Sequence, residues 1–225
     1  MCAHRGASAR ERENTVAAAL AAVEDGADWI EFDVRPSGDR CLVVHHDPVT
    51  RRGAVVSETP ASELGEDAPT FAAFVEASGS LGLDIELKTD RVGLASNDYV
   101  ELVAVEIEHH VVEQGPDRVV VTSFDQVVLD AFRERCPSVA TGVLFHDRTP
   151  SWAIGRAVER GHAAVVPWFR LVDRDLVDRA HDAGLAVATW TVNEPRHVRA
   201  VAEAGVDMII GDDPALVLEV LDGLG

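Results

Sequence analysis

Short apolar runs alternate with longer amphipathic stretches along almost the whole chain. Strand-like runs rich in β-branched residues fall at 28–34, 41–46, 82–88, 118–122, 139–145, 163–167, 185–190 and 206–210. Between them, Ala, Val and Leu recur at helical spacing over 14–25, 70–78, 98–114, 125–135, 150–160, 173–183, 195–204 and 213–223. Runs that stay apolar at consecutive positions are those buried on both faces, as in a parallel sheet. Interleaved with helices, they predict a repeating β/α unit. Eight such helices predict an α/β fold, a single (β/α)8 TIM barrel over residues 1–225. Its first strand must then be the short segment Met1–His4. The 41–46 run reads as an extra strand or as an extension of the second, turned by Pro36-Ser37-Gly38-Asp39. A doubly wound open sheet is the competing fold, weakened because no glycine-rich phosphate loop follows a strand.

The punctuation agrees with this pattern. Thr149-Pro150, Asn193-Glu194-Pro195 and Asp213-Pro214 each set a capping side chain close before a proline at a helix start. Gly26, Gly115, Gly161, Gly184 and Gly205 follow helical segments, where a left-handed cap is expected. Between Asp47 and Pro69 there is room for only a small insertion after the second strand.

Composition narrows the function. An apolar fraction of 47% fills a core and argues against disorder. No run approaches the ~18 apolar residues of a membrane span, and no signal peptide is legible at the N-terminus. Cys2, Cys41 and Cys136 form an odd, sparse set without CxxC spacing. They predict a reducing, cytoplasmic setting rather than a disulfide frame or a zinc knuckle. A net charge of −19 opposes electrostatic capture of nucleic acid and stable attachment to anionic membranes. Of the 20 basic residues one is a lysine, Lys88; its solitude makes it conspicuous.

In a β/α barrel the chemistry sits at the C-terminal ends of the strands. Glu31 and Asp33, two apart near the end of one strand, point the same way, and the same parity aligns Glu86 with Lys88 on the next barrel strand. Three carboxylates converging from neighbouring strands repel one another and are costly to bury unpaired. One divalent cation resolves this, Mg²⁺ or Ca²⁺ with Mn²⁺ as a further option, since hard cations take oxygen ligands. The competing account is a sealed core of salt bridges to Arg5, Arg35 or Lys88. His4 ends the first strand and His46 ends the 41–46 run, so two imidazoles flank the carboxylates and can move protons near neutral pH. His45 points the opposite way and is assigned to packing. His146 could reach the rim, while the remaining histidines are expected on helical surfaces.

His4-Arg5-Gly6, Glu13-Asn14-Thr15, Gly26 through Val34, Val43 through Asp47 and Ile85 through Lys88 resemble, in order and spacing, the signature of glycerophosphodiester phosphodiesterases. Thr122-Ser123-Phe124-Asp125, Trp190-Thr191-Val192-Asn193 and Gly205-Val206-Asp207, with an Asp-Asp-Pro close, extend the likeness from residue 3 to about 215. The resemblance implies metal-dependent hydrolysis of glycerophosphodiesters to glycerol 3-phosphate and an alcohol. It implies Glu31, Asp33 and Glu86 as metal ligands, His4 and His46 as the acid/base pair, and Arg5 and Lys88 as holders of the phosphate. Trp190 would close over the glycerol moiety and Phe124 would line the same mouth. Glu13 and Asn14 read as structural. The family commonly has a threonine where this chain has Gly211-Asp212-Asp213, a change expected to tune packing or the rim and not the chemistry. Two alternatives are weighed: a lysophospholipase D-like activity on lysophospholipids using the same residues, and a catalytically silent barrel acting as a binding module, which predicts the loss of a ligand or histidine, and none is missing.

Overall fold

The structure is a computed structural model that describes residues 1–90, 92–110 and 115–224. Eight parallel strands alternate with helices in chain order. They are β1 (Cys2–His4), β2 (Trp29–Pro36), β4 (Gly82–Leu87), β5 (Val119–Ser123), β6 (Ala140–Phe145), β7 (Ala164–Pro167), β8 (Ala186–Thr189) and β9 (Met208–Gly211). Each pairs with its neighbour, and β1 pairs with both β2 and β9, which closes the barrel. Closure removes the open edges of a doubly wound sheet. The 41–46 run is the extra strand: β3 (Leu42–Val44) lies antiparallel on β2, with Val34 opposite Val44. β1 has only three residues, yet Cys2 and Ala3 are fully buried and held on both sides.

The outer layer is α1 (Val16–Glu24), α3 (Phe71–Ala77), α4 (Ser96–His110), α5 (Gln126–Arg135), α6 (Pro150–Arg160), α7 (Arg174–Asp182), α8 (Pro195–Ala204) and α9 (Pro214–Asp222). The tail of the helix predicted over 98–114, residues 111–114, lies outside the described residues. The insertion after β3 is small, holding the four-residue α2 (Ala61–Leu64) between short 3-10 turns. Thr149 and Asp213 cap their helices as the sequence predicts, accepting from the Trp152 and Leu216 amides. At α8 the cap position falls to Glu194, whose side chain makes no capping bond. Asn193 is engaged elsewhere, in the site described below.

Gly6 shows how closely the first loop is packed. Its φ is +83°, and a Cβ there would stand 2.6 Å from the Ala18 backbone on α1. Only glycine meets both conditions. The helix therefore presses the turn after β1 against the barrel, which sets where His4 and Arg5 can lie. Among the described residues no helix is long and apolar enough to cross a membrane.

Candidate active site

A cavity of about 240 Å³ opens at the C-terminal ends of the strands. On one side it is lined by His4, Arg5, Glu31, His46, Glu86 and Lys88, and on the other by Phe124, His146 and Trp190. Eight of the nine residues singled out from the sequence thus share one cavity. The ninth, Asp33, lies just beneath it and is fully buried. A larger cavity of about 720 Å³ lies at the opposite end of the barrel, near Met1 and Trp29. Its carboxylates are already engaged: Asp28 by the N-terminal amine, and Asp207 by His181 and the Val187 amide.

The parity argument places the acids together. Glu31, Asp33 and Glu86 each offer a carboxylate oxygen within 4.8 Å of the other two. β2 and β4 run parallel with Asp33 opposite Glu86, so neighbouring strands deliver adjacent side chains. The cluster is partly neutralised. Lys88 Nζ donates to Glu86 Oε1 at 2.5 Å and lies 3.2 Å from Asp33 Oδ1, while Arg5 Nε lies 3.2 Å from Asp33 Oδ2. The last two contacts give Coulomb attraction without hydrogen-bond alignment, because Asp33 Oδ1 and Arg5 Nε are buried and unsatisfied. Glu31 Oε1 is also buried without a partner, although Oε2 accepts from the Arg5 amide at 3.0 Å.

Charge follows from this environment. Burial, then Asp33 and Glu86, push Glu31 well above the ordinary carboxyl range. Burial and Asp33 raise Glu86 to about 7 despite Lys88. Asp33 goes the other way: burial opposes its ionisation, but Lys88 and Arg5 outweigh it and hold the carboxyl low. Asp33 is the anchor of the group, and the two glutamates are under-neutralised. Lone carboxylate oxygens, converging and short of donors, fit a hard divalent cation. Salt bridges to Lys88 and Arg5 are present at Asp33, but they leave Glu31 Oε1 without hydrogen bond or ion pair among the described residues.

Both imidazoles are held by one nitrogen. His4 Nδ1 lies 2.6 Å from Asp212 Oδ1, with its Nε2 3.9 Å from Glu31 Oε2. His46 Nδ1 lies 2.8 Å from Asp47 Oδ1. In each case a carboxylate favours the Nδ1–H tautomer, leaving Nε2 as the working nitrogen. Burial lowers the pKa of His46 against the pull of Asp33. His45 is buried and bonds the Asp47 carbonyl at 2.8 Å, a packing role as expected from its parity.

Five residues take supporting roles that the sequence reading does not give them. Asp212, expected only at the rim, instead orients His4; Asn193 donates to its Oδ2 at 2.5 Å and accepts from its amide at 2.9 Å. Arg35 is buried and donates to the His46 carbonyl through Nε at 2.8 Å and Nη2 at 2.6 Å, fixing the loop that carries His46. Asn14, at φ +58°, donates to Asp33 Oδ2 at 2.7 Å, so it holds a candidate ligand as well as a loop. Asp84 lies one layer deeper, bonded to Thr122 Oγ1 at 2.9 Å and raised by burial to about 7. Its parity with Glu86 was the available signal.

The sequence profile of the glycerophosphoryl diester phosphodiesterase family matches residues 4–216. The chain belongs to that family. It is accordingly an enzyme of the phosphoric diester hydrolase class. The glycerophosphodiester phosphodiesterase of Caldanaerobacter subterraneus subsp. tengcongensis is 28% identical, over 97% of this chain and 96% of that one. The glycerophosphodiester phosphodiesterase of Bacillus altitudinis is 27% identical, over 97% and 96%. Among solved structures, an Oleispira antarctica phosphodiesterase in complex with the product sn-glycerol-3-phosphate superposes with a TM-score of 0.90. It is 25% identical and matched over 98% of this chain and 96% of its own.

Proposed function

We propose that this family member hydrolyses glycerophosphodiesters to glycerol 3-phosphate and an alcohol, with a divalent cation held by Glu31, Asp33 and Glu86. The observation that carries the reading is a set of buried carboxylate oxygens short of donors, beside two carboxylate-held imidazoles in one cavity. The product named in the Oleispira antarctica complex supports the same reaction. A bound cation would act as a Lewis acid on a phosphate oxygen. Arg5 and Lys88 bind the phosphate; the lysine ammonium has three N–H donors, one of them given to Glu86. One histidine takes the proton of the attacking hydroxyl, water or the glycerol 2-hydroxyl, through its free Nε2. The new P–O bond forms as the ester bond to the alcohol breaks, and the other histidine, protonated at both nitrogens, gives its Nε2 proton to the departing oxygen. Attack by water yields glycerol 3-phosphate directly, whereas attack by the 2-hydroxyl yields a cyclic phosphate that water then opens by the same exchange of protons. Asp212 and Asp47 keep each Nδ1 occupied, so that Nε2 carries the exchange. Trp190 covers the glycerol carbons, and Phe124 meets its ring edge to face at 5.4 Å.

The test is release of glycerol 3-phosphate from several glycerophosphodiesters, with Mg²⁺, Ca²⁺, Mn²⁺ or a chelator. Turnover that needs one of these ions is expected. Equal turnover in chelator would refute the cation's role, and no release from any diester would refute the substrate class.

A further inference from the structure

One side chain of the cavity has no task in the reaction above. His146 follows β6 and stands in an aromatic corner, with ring centroids 5.5 Å from Phe124 and 6.4 Å from Trp190, both edge-on. Such T-shaped contacts are favourable and fix the plane of a ring. They leave its nitrogens out. Among the described residues neither nitrogen of His146 hydrogen-bonds the protein, whereas His4, His45, His46 and His181 each engage one and His162 engages both. A neutral imidazole nonetheless carries one donor and one acceptor. His146 lines the cavity at its exposed edge, so its donor and acceptor remain free for solvent or for a bound molecule.

Depth decides which part of the substrate passes this point. The carboxylates are buried, Trp190 is partly so, and Phe124 and His146 are exposed at the lip. The glycerol phosphate end belongs with the deep charged residues, so the second ester arm extends outward past Phe124 and His146. This rests on the hydrolytic reading above.

We propose that His146, with Phe124, forms the subsite for the departing alcohol, and that it selects a small hydroxylated arm. The carbon backbone of a polyol can lie on the Phe124 ring while its hydroxyls pair with the imidazole. A quaternary ammonium arm would leave both nitrogens unpaired. It would also meet the Lys88 ammonium, already 6.0 Å from the Phe124 centroid. A plain alkyl arm fits the ring and wastes the imidazole.

The experiment compares kcat/KM for three glycerophosphodiesters whose second arm is glycerol, n-propanol or choline, using the wild-type enzyme, H146F and H146Q with divalent cation. The wild type is expected to favour the glycerol arm over the propyl arm by about fivefold, the worth of one neutral hydrogen bond. H146F keeps a ring between Phe124 and Trp190 but has no nitrogens, and should bring that ratio to about one. H146Q keeps a donor and an acceptor and should retain most of the preference. No preference in the wild type, a ratio that survives in H146F, or a choline arm favoured over glycerol would overturn the proposal. So would an equal fall on all three substrates in H146F. If the wild type hydrolyses none of them with Mg²⁺, Ca²⁺ or Mn²⁺, the hydrolytic reading fails first and carries this one with it.

Discussion

Two buried acidic clusters in this barrel solve the same physical problem in opposite ways. Between α5 and α6, Asp130 is 8% exposed and meets Arg156, Arg160 at 2.9 Å and His162 at 3.1 Å. His162 bonds Thr141 through its other nitrogen at 2.9 Å, so both its nitrogens are engaged. At the mouth, Glu31, Asp33 and Glu86 are as deeply placed, yet Glu31 and Asp33 each keep an oxygen without a donor. A buried charge without partners costs free energy that a satisfied one does not. The first cluster is complete in itself and holds two helices to the barrel. The second leaves carboxylate oxygens without a hydrogen-bond partner among the described residues, and it is there that the proposed reaction is placed.

The contrast can be broken hardest at the unsatisfied cluster. Glu31→Gln should reduce activity to the level of the chelated enzyme while leaving the circular dichroism spectrum unchanged. Calorimetric titration should show cation binding lost, and unchanged binding would remove Glu31 from the ligand set. His46→Ala should lower kcat by about 10²–10⁴-fold, the usual worth of a positioned acid or base. Near-normal turnover of a folded His46→Ala protein would end its proton-transfer role.

The satisfied cluster should answer in stability. Asp130→Ala strands two guanidinium groups and is expected to cost about 3 kcal/mol, read from the shift in denaturant midpoint, with kcat of the folded fraction unchanged. A fall in kcat at intact stability would contradict the division of labour.

The smallest effects concern pH, and they have opposite signs. Burial raises Glu86 to about 7 and holds Glu31 well above its ordinary range, so the stability tied to their protonated forms is lost as pH rises from the ordinary carboxyl range through the raised one. The cation-free protein should therefore melt lower at pH 8 than at pH 5.5. Added divalent cation should restore more at the higher pH, because ligands must be deprotonated to bind. His162 is lowered by burial, against the pull of Asp130, so its contribution is present above the ordinary histidine range and lost as pH falls through it. His162→Gln should flatten the acid limb of the melting profile and Glu31→Gln the alkaline one. Melting curves from pH 5 to 9 would show whether the limbs separate this way.

Much of the site was legible because strand parity is a local rule. Glu31 with Asp33, and Glu86 with Lys88, follow from a two-residue repeat, His4 and His46 stand out at the ends of their runs, and the family likeness adds the aromatic pair. Asp84 obeys the same parity, and only its bond to Thr122 shows that it sits one layer deeper. The supporting residues were not legible in that way. Arg35 shares the parity of Glu31 and Asp33, yet it reaches past them to the His46 carbonyl, a bond set by where the turn after β3 returns. Asn193 looked like a helix cap and serves Asp212 instead.

The sequence by itself determined the order of strands and helices, the small insertion and the residue types at the strand ends, since these depend on periodicity, caps and turn chemistry close along the chain. Only the tertiary structure decided that Asp212 orients His4, 208 residues away, and that His146 stands between two aromatic rings. Barrel closure sets β9 beside β1, and no local pattern carries that distance. The under-satisfaction of the carboxylates is likewise a property of packing: it depends on which donors arrive in space, and among the described residues fewer arrive than the buried oxygens can accept.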